Sequence, residues 1–95
     1  HRRREMDKRR LLQMAELVVD ANNIFRKTGM NNVSMEVSQH PEIHINANWN
    51  GDAYTNHYRY RAESPLLCDK LDPNFDAAEY RIRLLMEEAL KNVPA

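Results

Sequence analysis

The amino-acid sequence predicts an α+β domain in the order α-β-β-β-α, with a three-stranded antiparallel meander and two helices packed on one face. Two observations carry this prediction. Hydrophobic residues recur every three or four positions near each end of the chain, which is typical of amphipathic helices. In the middle of the chain hydrophobic and polar residues alternate, which is typical of half-buried strands. Helices on one face of such a sheet bury both apolar surfaces in one core.

The first helix is predicted over residues 7–27. Its apolar face contains Leu11, Met14, Ala15, Val18, Ala21, Asn22 and Phe25. Gly29 is the expected end, because glycine readily adopts the left-handed conformation that closes many helices. The second helix is predicted to begin at Asp72-Pro73, an N-cap followed by a first-turn proline. Its apolar positions are Phe75, Ala78, Ile82, Leu85, Met86, Ala89 and Val93.

The alternating segments predict three strands. They lie at residues 33–38, 42–49 and 54–61. Asn50-Gly51 favours a two-residue hairpin between the second and third strands, since both turn positions require a positive φ. Such a turn places His44 directly opposite His57. Pro41 falls in the first connection, because proline is excluded from the middle of a sheet.

The first hairpin must keep its apolar residues on one side of the sheet. We therefore expect Val37 opposite Ile43 and Glu36 opposite His44, with Gln39-His40-Pro41 as the loop. The residues predicted to share one core are Leu11, Val18, Phe25, Val37, Ile45, Trp49, Ile82 and Leu85.

Composition indicates one soluble domain. The chain has 95 residues, 42% hydrophobic and 29% charged, with a formal net charge of zero. We expect a single domain at residues 7–95, preceded by a basic arm at residues 1–6. No apolar run reaches the roughly 18 residues of a membrane span. Cys68 is the single cysteine and has no partner for an internal disulfide, so we expect a cytoplasmic location and no membrane association.

The outward face of the predicted sheet is the first candidate site. Its predicted partner-binding residues are Glu36, His44, Asn46, Thr55, His57, Arg59 and Arg61. Histidine, arginine and amide side chains supply hydrogen-bond donors and acceptors, and the third strand adds an unpaired edge for a partner or a second copy. A metal site of two histidines and Glu36 is the alternative interpretation of this face, but a solvated polar face is favoured and we expect no bound metal.

The basic N-terminal arm is the second candidate site. Its predicted nucleic-acid-binding residues are Arg3, Arg4, Lys8, Arg9 and Arg10. Clustered cations attract phosphates over a long range. A functional basic arm and the alternative that residues 1–5 are vector-derived or a tail from upstream are equally favoured.

The α-β-β-β-α order resembles that of the double-stranded RNA-binding domain, and His40-Pro41 in the first hairpin loop is similar to that family's loop. That family begins its last helix with a lysine cluster that contacts phosphates. Here the same place reads Asp72-Pro73-Asn74-Phe75-Asp76, which is acidic. The resemblance therefore covers the topology alone, and we assign no family.

The sequence favours a non-catalytic interaction or regulatory protein, of the small kind often carried by phages and other mobile elements. It lacks a nucleophile elbow, a phosphate-binding glycine loop and a zinc knuckle. We expect no enzymatic activity and no cofactor, with another protein or a second copy of the chain as the partner. A nucleic-acid-binding accessory protein is the alternative, although such proteins usually carry a pronounced basic excess.

Overall fold

The computed structural model describes residues 7–49, 52–59 and 73–92, and it confirms the predicted α+β class and element order. The elements are α1 (Lys8–Thr28), β1 (Asn32–Glu36), β2 (Glu42–Trp49), β3 (Asp52–Arg59) and α2 (Pro73–Lys91). Several predicted features lie outside the described residues: Arg3, Arg4, Asn50-Gly51, Arg61, Asp72 and Val93. Within the described part of the chain, no helix has the length and apolar character needed to cross a membrane.

Both ends of α1 are capped by local contacts. The Asp7 side chain accepts a hydrogen bond from the Arg10 backbone N–H at 3.1 Å, which satisfies one of the unpaired donors of the first turn. Gly29 has a φ of 72° and donates its N–H to the Phe25 carbonyl at 2.7 Å. The predicted glycine end of this helix is confirmed.

Both helices pack on the same face of the sheet, with α1 over β1 and α2 over β2 and β3. The core between these layers contains Leu11, Met14, Leu17, Val18, Ala21, Phe25, Val33, Ile43, Ile45, Ala47, Phe75, Ala78, Ile82, Leu85 and Ala89. Tyr54 and Tyr58 of β3 are partly buried against it. The N-terminal turns of the two helices meet, because Arg10 of α1 contacts Asp76 of α2.

The strands form a sheet in the order β1-β2-β3. The second hairpin has the predicted register, which places His44 opposite His57 and Ala47 opposite Tyr54. Among the described strands β3 is therefore an edge strand, as the meander predicted.

The predicted register of the first hairpin is wrong by two residues. Ile43 lies opposite Met35 instead of Val37, and Glu36 lies opposite Glu42. A shift of two residues leaves every side chain on its original face of the sheet, because the side chains alternate with a period of two. The hydrophobic pattern therefore fits both registers equally well.

The loop between β1 and β2 explains the shift. The Ser38 hydroxyl accepts a hydrogen bond from the His40 N–H at 3.1 Å and donates one to the His40 carbonyl at 3.2 Å. The Pro41 side chain is fully buried. These contacts extend the connection over residues 37–41. Val37 is consequently 64% exposed, and its predicted place in the core is wrong.

The other predicted core positions with described side chains are buried. These are Leu11, Val18, Phe25, Ile45, Ile82 and Leu85. The side chain of Trp49 lies outside the described part of the structure.

Candidate functional site: the polar face and edge of the sheet

Most of the predicted partner-binding residues lie together on the face of the sheet opposite the helices, here called the outer face. They are His44, Asn46, Thr55, His57, Arg59 and, at the end of β1, Glu36. Strand alternation places them there, since their chain neighbours enter the core. Neither of the two described helices packs on this face. This face is therefore the candidate binding surface among the described residues.

Asn22 of α1 occupies part of the outer edge of β1. Its side-chain amide donates to the Val33 carbonyl at 2.6 Å, and its side-chain carbonyl accepts the Val33 N–H at 3.0 Å. The N–H and C=O groups of Val33 therefore point away from β2. Ile45 lies opposite Val33, and in an antiparallel pair of this type its N–H and C=O groups point away from β1, toward β3. By the same alternation, the N–H and C=O groups of Thr55 and His57 point away from β2, toward the outer edge of β3.

His44 and His57 stack across β2 and β3. Their ring centroids are 4.3 Å apart and the ring planes differ by 13°. The two residues form a pair without mutual backbone hydrogen bonds, the type in which opposite Cα atoms approach to about 4.5 Å and side chains lie closest. The side chains stay 37% and 46% exposed. The stack is thus ordered by the strands and open to solvent.

The carboxylate of Glu42 contacts three neighbours on this face. Its Oε2 lies 3.3 Å from His44 Nε2, and its Oε1 lies 3.2 Å from His57 Nε2. Arg59 donates to Oε1 through Nε at 3.2 Å and Nη2 at 3.1 Å. The Glu42 side chain is only 17% exposed. Glu42, His44, His57 and Arg59 form what we call the sheet cluster.

The acidic residue of this cluster differs from the one that the sequence predicts. Glu36 was expected beside His44, but the register shift places it opposite Glu42 and places Ser34 opposite His44. Glu42 was left out of the predicted binding set. Its signal was present in the sequence, because a residue two positions before His44 shares its face of the strand.

The environment of Glu42 keeps its carboxyl group ionised. Burial raises its pKa, but the hydrogen bonds from Arg59, His57 and His44 together outweigh burial. The pKa therefore lies below the ordinary value of 4.5. At neutral pH the cluster presents a carboxylate toward two imidazole nitrogens and a guanidinium group.

Asn46 and Thr55 extend the polar face toward the other end of the sheet. Thr55 Oγ1 donates to Asn46 Oδ1 at 2.8 Å across the two strands. This pair helps to line an open hollow of about 520 Å³, whose walls are polar and apolar in nearly equal parts and include Asn31 and Asn48. The Asn48 backbone N–H donates to Asn31 Oδ1 at 3.1 Å, which fixes the segment after α1 against β2.

Arg10, one of the predicted nucleic-acid-binding residues, is buried and does not belong to an exposed basic surface. Its side chain is 7% exposed, with Nη2 at 2.5 Å from Asp76 Oδ1 and Nη1 at 2.9 Å from Glu79 Oε1. Helical periodicity turns this position toward α2, while Lys8 and Arg9 remain exposed. Two carboxylates already occupy the guanidinium group, which leaves it unsuited to phosphate contact.

Comparison with known proteins adds no assignment to this geometry. No protein-family model matches the chain, and no curated protein or solved structure is significantly similar to it. An element order shared with RNA-binding domains does not by itself imply their function. The first turn of α2 also carries Asp76, which engages Arg10.

Proposed function

We propose that this protein is a non-catalytic interaction protein that binds an extended segment of another protein chain along the outer edge of β3. The difference between the two sheet edges carries the proposal. β1 is five residues long, and Asn22 already bonds both backbone groups of Val33. β3 is eight residues long and directs the backbone groups of Thr55 and His57 outward. A partner strand therefore finds donors and acceptors at β3.

The side chains next to this edge are ordered before any partner arrives. Thr55 is held by Asn46, His57 is stacked on His44, and Arg59 is bonded to Glu42. Binding loses less conformational entropy when the contact residues are already fixed, so the same contacts give a higher affinity. Backbone pairing supplies affinity and the alternating side chains of β3 supply specificity.

A second copy of the chain is the simplest partner of this kind, since two β3 edges pair by antiparallel symmetry. Homodimer formation and capture of a different protein use the same edge. A reducing, cytoplasmic setting and an origin in a phage or other mobile element are consistent with this proposal and form part of it. Binding of nucleic acid by the exposed Lys8 and Arg9 is the alternative.

Thr55→Pro tests the edge with little change to the rest of the sheet. Proline removes the outward N–H of residue 55 and blocks a new strand, and edge positions tolerate proline because that N–H does not bond β2. Thr55→Ala is the matched control, because it loses the same hydroxyl and keeps the N–H. We expect partner capture from the native host, identified by mass spectrometry, to be lost with Thr55→Pro and kept with Thr55→Ala.

Amide hydrogen exchange gives an independent readout without a known partner. The amides of Thr55 and His57 should exchange fast in the monomer and become protected once a partner strand is added. Light scattering reports whether that partner is a second copy. Protection of both amides in the monomer would contradict the proposal, as would equal partner capture by the two variants. Fluorescence anisotropy with DNA and RNA at two salt concentrations tests the alternative.

A further inference from the structure

We propose that Glu42, His44 and His57 form a binding site for a divalent transition-metal ion, with Zn²⁺ as the best match. Each of the three residues offers one ligand atom, and these atoms all lie within 4.8 Å of one another. This inference is independent of whether the edge of β3 binds a partner. It revises the sequence-level expectation of no metal, which had considered Glu36 as the carboxylate.

The spacing of the ligand atoms is close to that of a metal coordination shell. Zn²⁺ binds imidazole nitrogen at about 2.0–2.1 Å and carboxylate oxygen at about 2.0–2.2 Å, which in a tetrahedron separates neighbouring ligands by roughly 3.4 Å. Glu42 Oε2 lies 3.3 Å from His44 Nε2 and Glu42 Oε1 lies 3.2 Å from His57 Nε2. With one ligand atom taken from each residue, all three atoms lie within 4.8 Å of one another. The stacked rings must rotate out of their parallel arrangement for both nitrogens to face one ion, and their exposure leaves room for that rotation.

The ligand set identifies the chemical class of the ion. Two imidazole nitrogens and one carboxylate suit Zn²⁺, Ni²⁺, Co²⁺ or Fe²⁺, whereas Mg²⁺ and Ca²⁺ prefer sites built from oxygen alone. Because the two histidines are 37% and 46% exposed, solvent reaches the cluster and water completes the shell. A site with three protein ligands and one water is the open type of zinc site.

Arg59 gives the proposal its sharpest consequence. Its guanidinium group donates to Glu42 Oε1, the same oxygen that faces His57. A cation entering the cluster must displace this positive group or bind beside it, and like charges at this distance repel. Removing the guanidinium should therefore strengthen metal binding, whereas it should weaken a cluster held together only by hydrogen bonds.

Titration calorimetry of the full 95-residue chain with Zn²⁺ tests the site, with CaCl₂ as the control ion. We expect His44→Gln, His57→Gln and Glu42→Gln each to weaken the cluster's Zn²⁺ affinity by about tenfold or more, a loss of about 1.4 kcal/mol. His40→Gln and Glu36→Gln are the matched controls, since both residues are exposed and outside the cluster. Arg59→Gln should bind Zn²⁺ more tightly than the parent.

Co²⁺ provides a readout of geometry, because four-coordinate Co²⁺ absorbs visible light more strongly than aqueous Co²⁺. Its absorption should appear in the parent and in His40→Gln and be lost in His57→Gln. Circular dichroism shows whether each variant is folded. Because each of the three ligand variants removes a different ligand, the proposal can still be tested if one of them fails to fold. Three results would overturn the proposal: no Zn²⁺ binding by the parent, an affinity in His44→Gln and His57→Gln equal to that of the parent, or weaker binding in Arg59→Gln.

Discussion

Two charge clusters of this protein are built in opposite ways. Between the helices, the cation Arg10 is 7% exposed and is held by two carboxylates, Asp76 and Glu79. On the outer face of the sheet, the anion Glu42 is 17% exposed and is held by a guanidinium group and two imidazoles. In each case the central charge is the most buried member and its partners reach solvent.

The difference lies in what the central charge does to the fold. Arg10 joins two helices whose contacting residues are 66 positions apart, so its ion pairs exist only when the core has formed. Glu42 joins neighbours on two adjacent strands, and each of its partners can turn to water. Arg10, Asp76 and Glu79, here called the helix cluster, should therefore contribute to stability. The sheet cluster is available to a ligand.

The largest effect is expected when Arg10 loses both partners. Asp76→Asn with Glu79→Gln leaves a buried cation without an anion, and breaking a buried ion pair in this way costs about 3–5 kcal/mol of unfolding free energy. Urea denaturation measures the loss. The matched control is Glu87→Gln with Glu88→Gln, which removes two exposed carboxylates of the same helix. Equal losses in the two double variants would show that the helix cluster has no special role.

Removing the cation itself should cost less. Arg10→Met keeps an apolar chain of similar length, and the carboxylates of Asp76 and Glu79 are exposed enough to regain water. We expect a loss of roughly 1.5–3 kcal/mol, the usual value for hydrogen bonds to charged groups. Arg9→Met, at the exposed neighbouring position, is the control. If Arg10→Met destabilised as much as the double acidic variant, the asymmetry between the central charge and its partners would be disproved.

Glu42→Gln tests the sheet cluster on the same scale. Its partners are half-exposed, so water replaces the lost contacts and the unfolding free energy should fall less than in the double acidic variant. The ring signals of His44 and His57 in NMR spectra should nevertheless shift, because their common acceptor has lost its charge. Glu36→Gln should leave both rings unchanged. A ring shift in the Glu36 variant instead would restore the register predicted from sequence.

The smallest expected effect is a change in the pH dependence of stability. The hydrogen bond from Arg83 holds the pKa of Glu79 below its ordinary value of 4.5, against the opposing effect of burial, and Arg10 adds to the lowering. A carboxyl whose folded pKa is depressed contributes stability above its unfolded pKa and loses it as the pH falls through the folded value. The unfolding free energy should therefore fall below about pH 4.5.

Glu79→Gln should flatten part of this fall, because glutamine does not titrate. Urea denaturation of the parent and the variant between about pH 6 and pH 3 measures how the unfolding free energy of each depends on pH. Glu87→Gln is the control on the same helix. Parallel curves for the parent and Glu79→Gln would mean that Glu79 adds nothing to acid stability.

Local patterns predicted the elements and most of the core. The three-and-four spacing placed Val18 and Phe25 inside, and Gly29 ended α1 where expected. The two-residue spacing between Trp49 and Asp52 was enough to pair His44 with His57. These features depend on residues a few positions apart in the chain, so the local sequence is sufficient to predict them.

The identity of the carboxylate beside the histidines was not predictable in the same way. Glu36 and Glu42 lie on the same face of the sheet, and the alternation of apolar residues accepts either register. The choice depends on the loop, where Ser38 bonds both backbone groups of His40 and the ring of Pro41 enters the core. The alternation of hydrophobic and polar residues does not predict these contacts of Ser38 and Pro41.

By itself the sequence determined the order of the helices and strands, the inward and outward faces of each, and the register of the second hairpin. Only the tertiary structure decided that Arg10 is a buried ion-pair partner, that Asn22 bonds the outer edge of β1 at Val33, and that Glu42 is the acceptor in the sheet cluster. The physical reason is the distance along the chain between the residues that interact. Backbone conformation and hydrophobic periodicity are set by near neighbours, whereas a hydrogen bond or ion pair between distant residues depends on how the layers pack.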